Sequence, residues 1–124
     1  NAVARISSIP EVRDVVNTHL RRIAGTLHII AEGRDMTTVV FPKAEVKVYL
    51  DASTEVRARR RYDQGTSGLT LDEIERLIRE RDNRDRNKKE GSLSIATDAV
   101  VLDTSALTLE EVYERVSGLI KPYL

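Results

Sequence analysis

The chain has 124 residues, with 20 lysines and arginines against 20 aspartates and glutamates. This length fits one domain, and the balanced charge gives the chain no net attraction for a polyanion. With no cysteine and only two histidines, the composition excludes disulfides, thiolate metal sites and a cysteine nucleophile, and it argues against a histidine-rich zinc site. No apolar run approaches 18 residues and no signal peptide opens the chain, which predicts a cytoplasmic protein without membrane contact.

The first predicted element is a helix from about Pro10 to Ala24. Ser8 and Glu11 have the spacing of a capping box, and proline is tolerated in a first helical turn. Apolar residues then recur at the helical period, at positions 12, 16, 20 and 23. The glycine at position 25 is expected to end this helix.

A nearly continuous apolar stretch, Leu27–Ala31, predicts a buried parallel strand. It ends in Gly33-Arg34-Asp35 and then resumes an apolar course through residues 36–41. Ligands of α/β folds bind at strand ends, and a fixed cation beside a fixed carboxylate there favours an anionic small molecule that forms hydrogen bonds. Two further strands are predicted at Glu45–Leu50 and Ala99–Leu102.

Three more helices alternate with these strands. Ser53 is the expected N-cap of an arginine-rich helix, and Thr70 with Glu73 forms a capping box before a helix that reaches Asn87. Thr108 opens the last helix, with apolar residues at 109, 112, 116 and 119 facing inward and a proline at 122 ending it. The alternation predicts an α/β fold with a parallel sheet.

The predicted helix that ends at Asn87 carries charged residues on the face that should be buried. Its stripe at steps of three and four residues reads Leu71, Ile74, Ile78, Arg81, Asp85, Lys88. The charged end of this stripe indicates either a wet cleft that holds a ligand or a helix tip that extends past the core into solvent.

Eleven of the 20 basic residues lie between Arg57 and Lys89. In the first of their clusters, Arg57, Arg60 and Arg61 share one helix face before the glycine-rich stretch Gln64–Gly68. Such a run is either a solvated face or a set of phosphate contacts beside a mobile loop. Many fixed cations, two placed carboxylates and no credible covalent nucleophile suit phosphoryl transfer by positioning and electrostatics.

Several ordered motifs resemble the bacterial cytidylate kinases over nearly the whole chain. The matching pieces are Ile9–Arg13, Glu32–Asp35, Thr38–Pro42, Lys47–Ser53, Arg57–Arg61, Glu80–Asn87 and Leu102–Thr104. The resemblance implies a three-layer P-loop nucleoside-monophosphate kinase fold, with residues 1–124 as a single partial kinase domain whose lid covers about 60–70. It further implies a cytoplasmic, monomeric enzyme that transfers the γ-phosphate of ATP, held with Mg²⁺, to CMP or dCMP.

The resemblance also implies roles for nine residues of this chain. Arg13 and Asp35 would contact the cytosine, and Arg34 would hold the CMP phosphate. Arg81 and Asp85 would contact the ribose and phosphates, with Lys88 on the phosphate. Arg60 would be the lid arginine over ATP, with the remaining lid contacts made by Arg57 and Arg61. Arg34 and Arg60 are the expected catalytic residues, and no residue is expected to bind a metal.

Departures from the family pattern add further expectations. No G-x-x-x-x-G-K-[ST] motif occurs in the chain, so we expect a longer polypeptide whose upstream portion carries the P-loop and the central first strand. We expect the isolated segment neither to fold stably nor to phosphorylate CMP, and a cooperative unfolding transition would refute the first expectation. Ala4 stands where the family has a serine, and Thr37 replaces a glycine, with backbone strain expected if that site needs positive φ.

Two alternative functions stay open from the sequence. One is a related P-loop kinase with another acceptor, since Ala4 and Thr37 alter the cytosine side. The other is a non-catalytic module that binds RNA or another polyanion through Arg57–Lys89, against which the balanced charge and the few aromatic residues argue. We therefore expect nucleotides, and no nucleic acid, as partners.

Overall fold

A computed structural model describes residues 2–89 and 91–124, which form two compact units. The first unit comprises Asn1–Ala44 and Asp85–Ala96, and the second comprises Glu45–Arg84 and Thr97–Leu124. Each unit therefore combines two separate stretches of the chain. None of the helices in residues 2–89 and 91–124 is long and apolar enough to span a membrane.

The first unit begins with two helices, α1 (Ala2–Ser7) and α2 (Pro10–Ala24). The bounds of α2 confirm the sequence prediction, but the predicted cap is wrong. Ile9 is the N-cap of α2 and makes no side-chain cap, whereas the Ser8 hydroxyl donates to the Arg5 carbonyl at 2.7 Å. The sequence analysis missed α1, and the end of this helix is what engages the Ser8 hydroxyl.

The predicted strand Leu27–Ala31 does not form, which corrects the sequence analysis. Within the described residues no strand pairs with it, and residues 28–32 have no regular secondary structure. A strand is stable only when a neighbour takes its backbone hydrogen bonds, so an apolar sequence alone does not suffice. Ile30 is accordingly 86% exposed.

The apolar course after Gly33-Arg34-Asp35 forms a π-helix, Met36–Val40, rather than extended chain. The Asp35 carbonyl accepts hydrogen bonds from the backbone N–H groups of Val39 at 2.9 Å and Val40 at 3.2 Å. Val40 is 1% exposed and is the buried apolar residue of this unit. No non-glycine residue of the described chain has positive φ, so the strain considered for Thr37 does not arise.

The second unit contains a two-stranded parallel sheet of β1 (Val48–Asp51) and β2 (Val100–Asp103). Val48 lies opposite Val100, and the register continues to Asp51 opposite Asp103. The α/β class with a parallel sheet is thereby confirmed, while the three-layer P-loop arrangement stays a prediction. Both strands begin later than the sequence analysis predicted, and both end one residue later, at an aspartate.

Helices α3 (Thr54–Asp63) and α5 (Leu109–Ile120) belong to the second unit, together with most of α4 (Leu71–Asn87). A short 3₁₀ turn, Lys121–Tyr123, follows α5 and contains the proline that was expected to end it. The hydroxyl of Ser53 accepts the Val56 N–H at 3.2 Å, which confirms the predicted cap of α3.

Both predicted capping boxes of the second unit are present. At the start of α4 the Thr70 N–H donates to Glu73 and the Glu73 N–H donates to the Thr70 hydroxyl, and the same reciprocal pair opens α5 at Thr108. The expectation that Leu109 faces inward is wrong, because it is 86% exposed. The buried apolar residues of this unit are Ala52, Ala58, Ile74 and Leu102.

Candidate functional site

An ion pair between Arg13 and Asp35 lies in the first unit. Arg13 projects from α2, and its Nη2 donates to Asp35 Oδ2 while its Nη1 donates to the Ser7 carbonyl at 3.3 Å. The side chains are 20% exposed for Arg13 and 5% for Asp35. A nearly buried carboxylate beside a guanidinium presents hydrogen-bond acceptors and donors side by side, with little screening by water.

A second ion pair begins at the neighbouring residue, Arg34. Its Nε lies 2.8 Å from Oδ2 of Asp85, with side chains 39% and 14% exposed. The closest contact of the pair is made by Nε of the guanidinium. A guanidinium fork matches two oxygens of a phosphate. The consecutive residues Arg34 and Asp35 thus belong to two different ion pairs. The Arg13–Asp35 pair suits a polar ring, and the Arg34–Asp85 pair suits an anion.

Lys88 lies one residue beyond the end of α4, so the proposed helical stripe ends at Asp85. It lines a cavity of about 370 Å³ together with Ser8, Pro10 and Lys89. Leu93, which follows α4 in the chain, contacts the end of this helix, since its N–H donates to the Asp85 carbonyl at 2.8 Å. The first unit thereby contains five of the nine predicted residues: Arg13, Arg34, Asp35, Asp85 and Lys88.

An open groove of about 700 Å³ lies in the second unit, where the carboxyl ends of both strands are found. Its walls include Asp51, the last residue of β1, and Thr104, which follows β2. The α3 residues Arg57 and Arg60 also line it. Side chains from the start of α5 and the preceding loop supply apolar surface. The groove therefore combines two arginines and two carboxylates, Asp51 and Asp63, with an apolar wall.

Arg60 is fixed at the edge of this groove by Thr104. Its Nη1 donates to the Thr104 hydroxyl at 3.1 Å and its Nη2 donates to the Thr104 carbonyl at 2.5 Å. The Thr104 hydroxyl in turn donates to the Asp51 carbonyl at 2.8 Å. The chain of contacts joins α3 to the ends of both strands and orients the guanidinium of Arg60.

Arg57 makes a bidentate ion pair with Asp82 of α4, at 3.0 and 2.6 Å, and its Nε donates to the Ala52 carbonyl at 3.0 Å. The hydrogen bond to Asp82 raises the pKa of Arg57 above its ordinary value. These contacts join α3 to α4. Arg61 is exposed on α3, and Arg81 is exposed on α4.

Gly91 lies against the side chain of Arg13, a contact that the sequence analysis missed. It has φ +67°, and a Cβ atom there would lie 2.6 Å from Cζ of Arg13. A glycine in a polar connection after a helix gives no sign in the sequence of which side chain it contacts. Within residues 2–89 and 91–124, no group of three or more histidine, cysteine, aspartate or glutamate side chains is arranged to hold a metal ion.

Comparisons with known proteins agree on one family. The family model described as cytidylate kinase matches residues 1–122. The cytidylate kinase of Aeromonas salmonicida strain A449 is 48% identical over 94% of this chain and 52% of that protein. Those of Vibrio cholerae serotype O1 and Borrelia hermsii are 44% and 47% identical, over 99% and 92% of this chain and 56% and 53% of those proteins. The chain spans about half the length of the curated relatives it matches.

Proposed function

This chain belongs to the cytidylate kinase family, and we propose that it carries the acceptor site of an enzyme that transfers the γ-phosphate of ATP to CMP or dCMP, giving CDP or dCDP. The observation that supports this most is the pair of ion pairs on consecutive residues, Arg13–Asp35 and Arg34–Asp85. One offers paired donors and acceptors, and the other offers a guanidinium fork, which are the two chemistries of a nucleoside monophosphate.

In this proposal the pair Arg13–Asp35 contacts the cytosine. The exocyclic amino group of cytosine donates hydrogen bonds, and its ring nitrogen and carbonyl oxygen accept them. The Asp35 carboxylate accepts from the amino group, and the Arg13 guanidinium donates to the ring acceptors. Uracil carries a carbonyl in place of that amino group, so the buried carboxylate disfavours it.

Arg34 and Lys88 bind the phosphate of CMP in this proposal, and Arg81 and Asp85 contact the ribose and phosphates. Arg34 already has one side of its guanidinium held by Asp85 at 2.8 Å, which restricts its rotamers before the nucleotide binds. A positioned guanidinium loses less conformational entropy on binding than a mobile one. The two Nη groups of Arg34 then face the phosphate oxygens.

The groove of the second unit takes the phosphate donor in this proposal, with Arg60 and the exposed Arg61 toward the ATP phosphates and Arg57 supporting α3. An oxygen of the CMP phosphate attacks the γ-phosphorus, a new P–O bond forms, and the bond to the β–γ bridging oxygen breaks so that ADP leaves. Arg34 and Arg60 stabilise the negative charge on the transferring group.

The reaction would use ATP together with Mg²⁺, and in this proposal no residue of this chain is a ligand of the metal. We further propose that the complete protein carries its phosphate-binding loop outside these 124 residues, because they contain no Walker-type motif. A cytoplasmic monomer that acts on free nucleotides completes the proposal.

The test is a kinase assay of the complete protein with ATP and one acceptor at a time. CMP and dCMP are expected to be phosphorylated with the highest kcat/KM, and UMP and shikimate with much lower values. A preference for UMP or shikimate would overturn the assignment of the acceptor. Binding of RNA with a steep salt dependence and without competition by CMP would instead support a polyanion-binding module.

A further inference from the structure

Gly91 has a backbone conformation and surroundings that both exclude a side chain. Its φ is +67°, in the region that residues with a Cβ atom adopt only at a cost. A Cβ atom on Gly91 would lie 2.6 Å from both Cζ and Nη1 of Arg13 and 2.7 Å from Nη2. The backbone of Gly91 therefore lies directly against the Arg13 guanidinium.

Two other glycines of the chain show one of these features without the other: Gly65 has the positive φ, and Gly33 has a close side-chain contact. Gly65 has nearly the same φ, +66°, but no atom lies within 4 Å of the position of its Cβ. At Gly33 the nearest atoms belong to the side chain of Met36, at 2.9 and 3.0 Å, which has no polar partner to lose if it moves. Gly91 alone among these three lies against a charged group that is itself engaged in an ion pair.

A side chain at position 91 would displace Arg13 from Asp35. The guanidinium is the flexible end of a long side chain, so the close contact is relieved most easily by moving that end. The movement breaks the contacts of Arg13 with Asp35 and with the Ser7 carbonyl. The cost therefore falls on the ion pair rather than on the packing of α2.

Gly91 also follows the proposed ribose and phosphate contacts along the chain. Asp85 lies near the end of α4, and the Leu93 N–H donates to its carbonyl at 2.8 Å, so Leu93, two residues after Gly91, contacts the end of that helix. We infer that Gly91 is a positioning residue that determines base specificity: its bare backbone lies against the Arg13 guanidinium and holds it beside Asp35. This inference rests on the proposed function.

The experiment is Gly91→Ala in the complete protein, assayed with CMP and with ATP varied separately. The KM for CMP should rise about tenfold or more, the loss expected when a hydrogen bond to a charged group is misplaced. The KM for ATP should stay within about twofold and kcat should change little, because the affected contact binds the acceptor alone. The preference for CMP over UMP should fall as well.

A double-mutant comparison with Arg13→Ala tests whether Gly91 acts through Arg13. This variant should raise the KM for CMP by itself, and adding Gly91→Ala should raise it no further, since the two changes act on one contact. Independent effects that multiply would overturn the inference, as would an unchanged KM for CMP in Gly91→Ala. Gly118→Ala, which adds a Cβ atom with nothing within 4 Å, is the control for activity.

Thermal unfolding without nucleotide separates this inference from the proposed function. Gly91→Ala should lower the Tm by a few degrees more than Gly65→Ala, which has the same φ cost without the contact. The difference should disappear in the Arg13→Ala background, and its persistence there would refute the inference. If Arg13→Ala leaves the KM for CMP unchanged, the proposed base contact fails, whereas the Tm comparison still decides whether Gly91 positions Arg13.

Discussion

Asp35→Asn removes one charge from the proposed cytosine contact while keeping the shape of the side chain. Asp35 is 4% exposed, and its carboxylate pairs with Arg13 of α2. The backbone of Asp35 has a separate role, since its carbonyl, just before the π-helix, accepts the N–H groups of Val39 and Val40 at the end of that helix. The substitution leaves that backbone role intact, so its main effect should fall on ligand binding.

The burial of Asp35 sets the expected magnitude. A hydrogen bond that involves a charged group contributes about 1.5–3 kcal/mol, and a nearly buried carboxylate is little screened by water. Each 1.4 kcal/mol is about a factor of ten, so the KM for CMP should rise about 10- to 100-fold. The loss of stability should be smaller, about 1 kcal/mol, because Arg13 is 20% exposed and regains water as a partner.

Steady-state kinetics of the complete protein measures this effect, with CMP, UMP and ATP varied in turn. The preference for CMP over UMP should shrink, because an amide can donate to the uracil carbonyl as well as accept. Asp14→Asn is the matched control, since Asp14 is exposed on α2 next to Arg13. A KM for CMP that stays within about twofold, or an equal rise in the KM for ATP, would refute the reasoning.

Three further changes test the rest of the structure. Arg21→Ala should lower the unfolding free energy by about 1–3 kcal/mol, because Nε and Nη2 of Arg21 each donate at 2.9 Å to a carbonyl at the end of the π-helix; chemical denaturation measures this. Arg60→Ala should lower kcat about 100-fold or more with little change in the KM for CMP, as measured at saturating ATP. Asp98→Asn should lower the Tm most at neutral pH. The hydrogen bond from Lys47 lowers the pKa of Asp98 in the folded protein. The Lys47–Asp98 pair therefore stabilises the fold above about pH 4, and this stabilisation is lost as the pH falls through the folded-state pKa.

Neighbouring residues offer controls for the two arginine substitutions. Arg22→Ala removes an exposed arginine beside Arg21, and Arg59→Ala removes an exposed arginine beside Arg60. If either control matched its partner variant, general loss of positive charge would explain the result and the specific contacts would not. For Asp98→Asn, a Tm difference from the unaltered protein that stays constant from pH 7 to about pH 3 would contradict the assigned pKa direction.

Local signals in the sequence predicted local structure well. The capping boxes at Thr70 and Thr108 and the cap at Ser53 were confirmed, because a cap depends on side chains within three residues of the helix start. The cap at Ser8 was wrong for a related reason. Its hydroxyl had a competing acceptor at the end of α1, a helix with too little periodicity to be predicted.

Features that depend on distant partners were harder to predict. The apolar run Leu27–Ala31 reads as a strand, yet within the described residues no neighbouring strand pairs with it. Thr37 to Val40 are residues typical of strands, but the carbonyl of Asp35 and the guanidinium of Arg21 hold them in a π-helix. Propensity describes what a residue favours alone, and tertiary contacts override it.

In the candidate site, too, local features could be predicted and contacts between distant residues could not. Periodicity marked the charged end of α4 as unusual, and the resemblance to a family suggested roles for Arg13 and Asp35. Neither source indicated that Arg13 and Asp35 pair with each other, or that Gly91 lies against that pair. Such contacts join residues far apart in the sequence, and a single sequence carries no record of them.

The discontinuity of the two compact units has a consequence for the order in which the protein acquires its structure. Each unit needs a stretch from the last third of the chain: the first needs Asp85–Ala96, and the second needs Thr97–Leu124. The hydrogen bond between Ser94 and Thr38 spans 56 residues, and that between Thr104 and the Asp51 carbonyl spans 53. Contacts of such long sequence separation form slowly. During synthesis on the ribosome, each unit therefore stays incomplete until its later stretch emerges: the first until Ala96 and the second until Leu124.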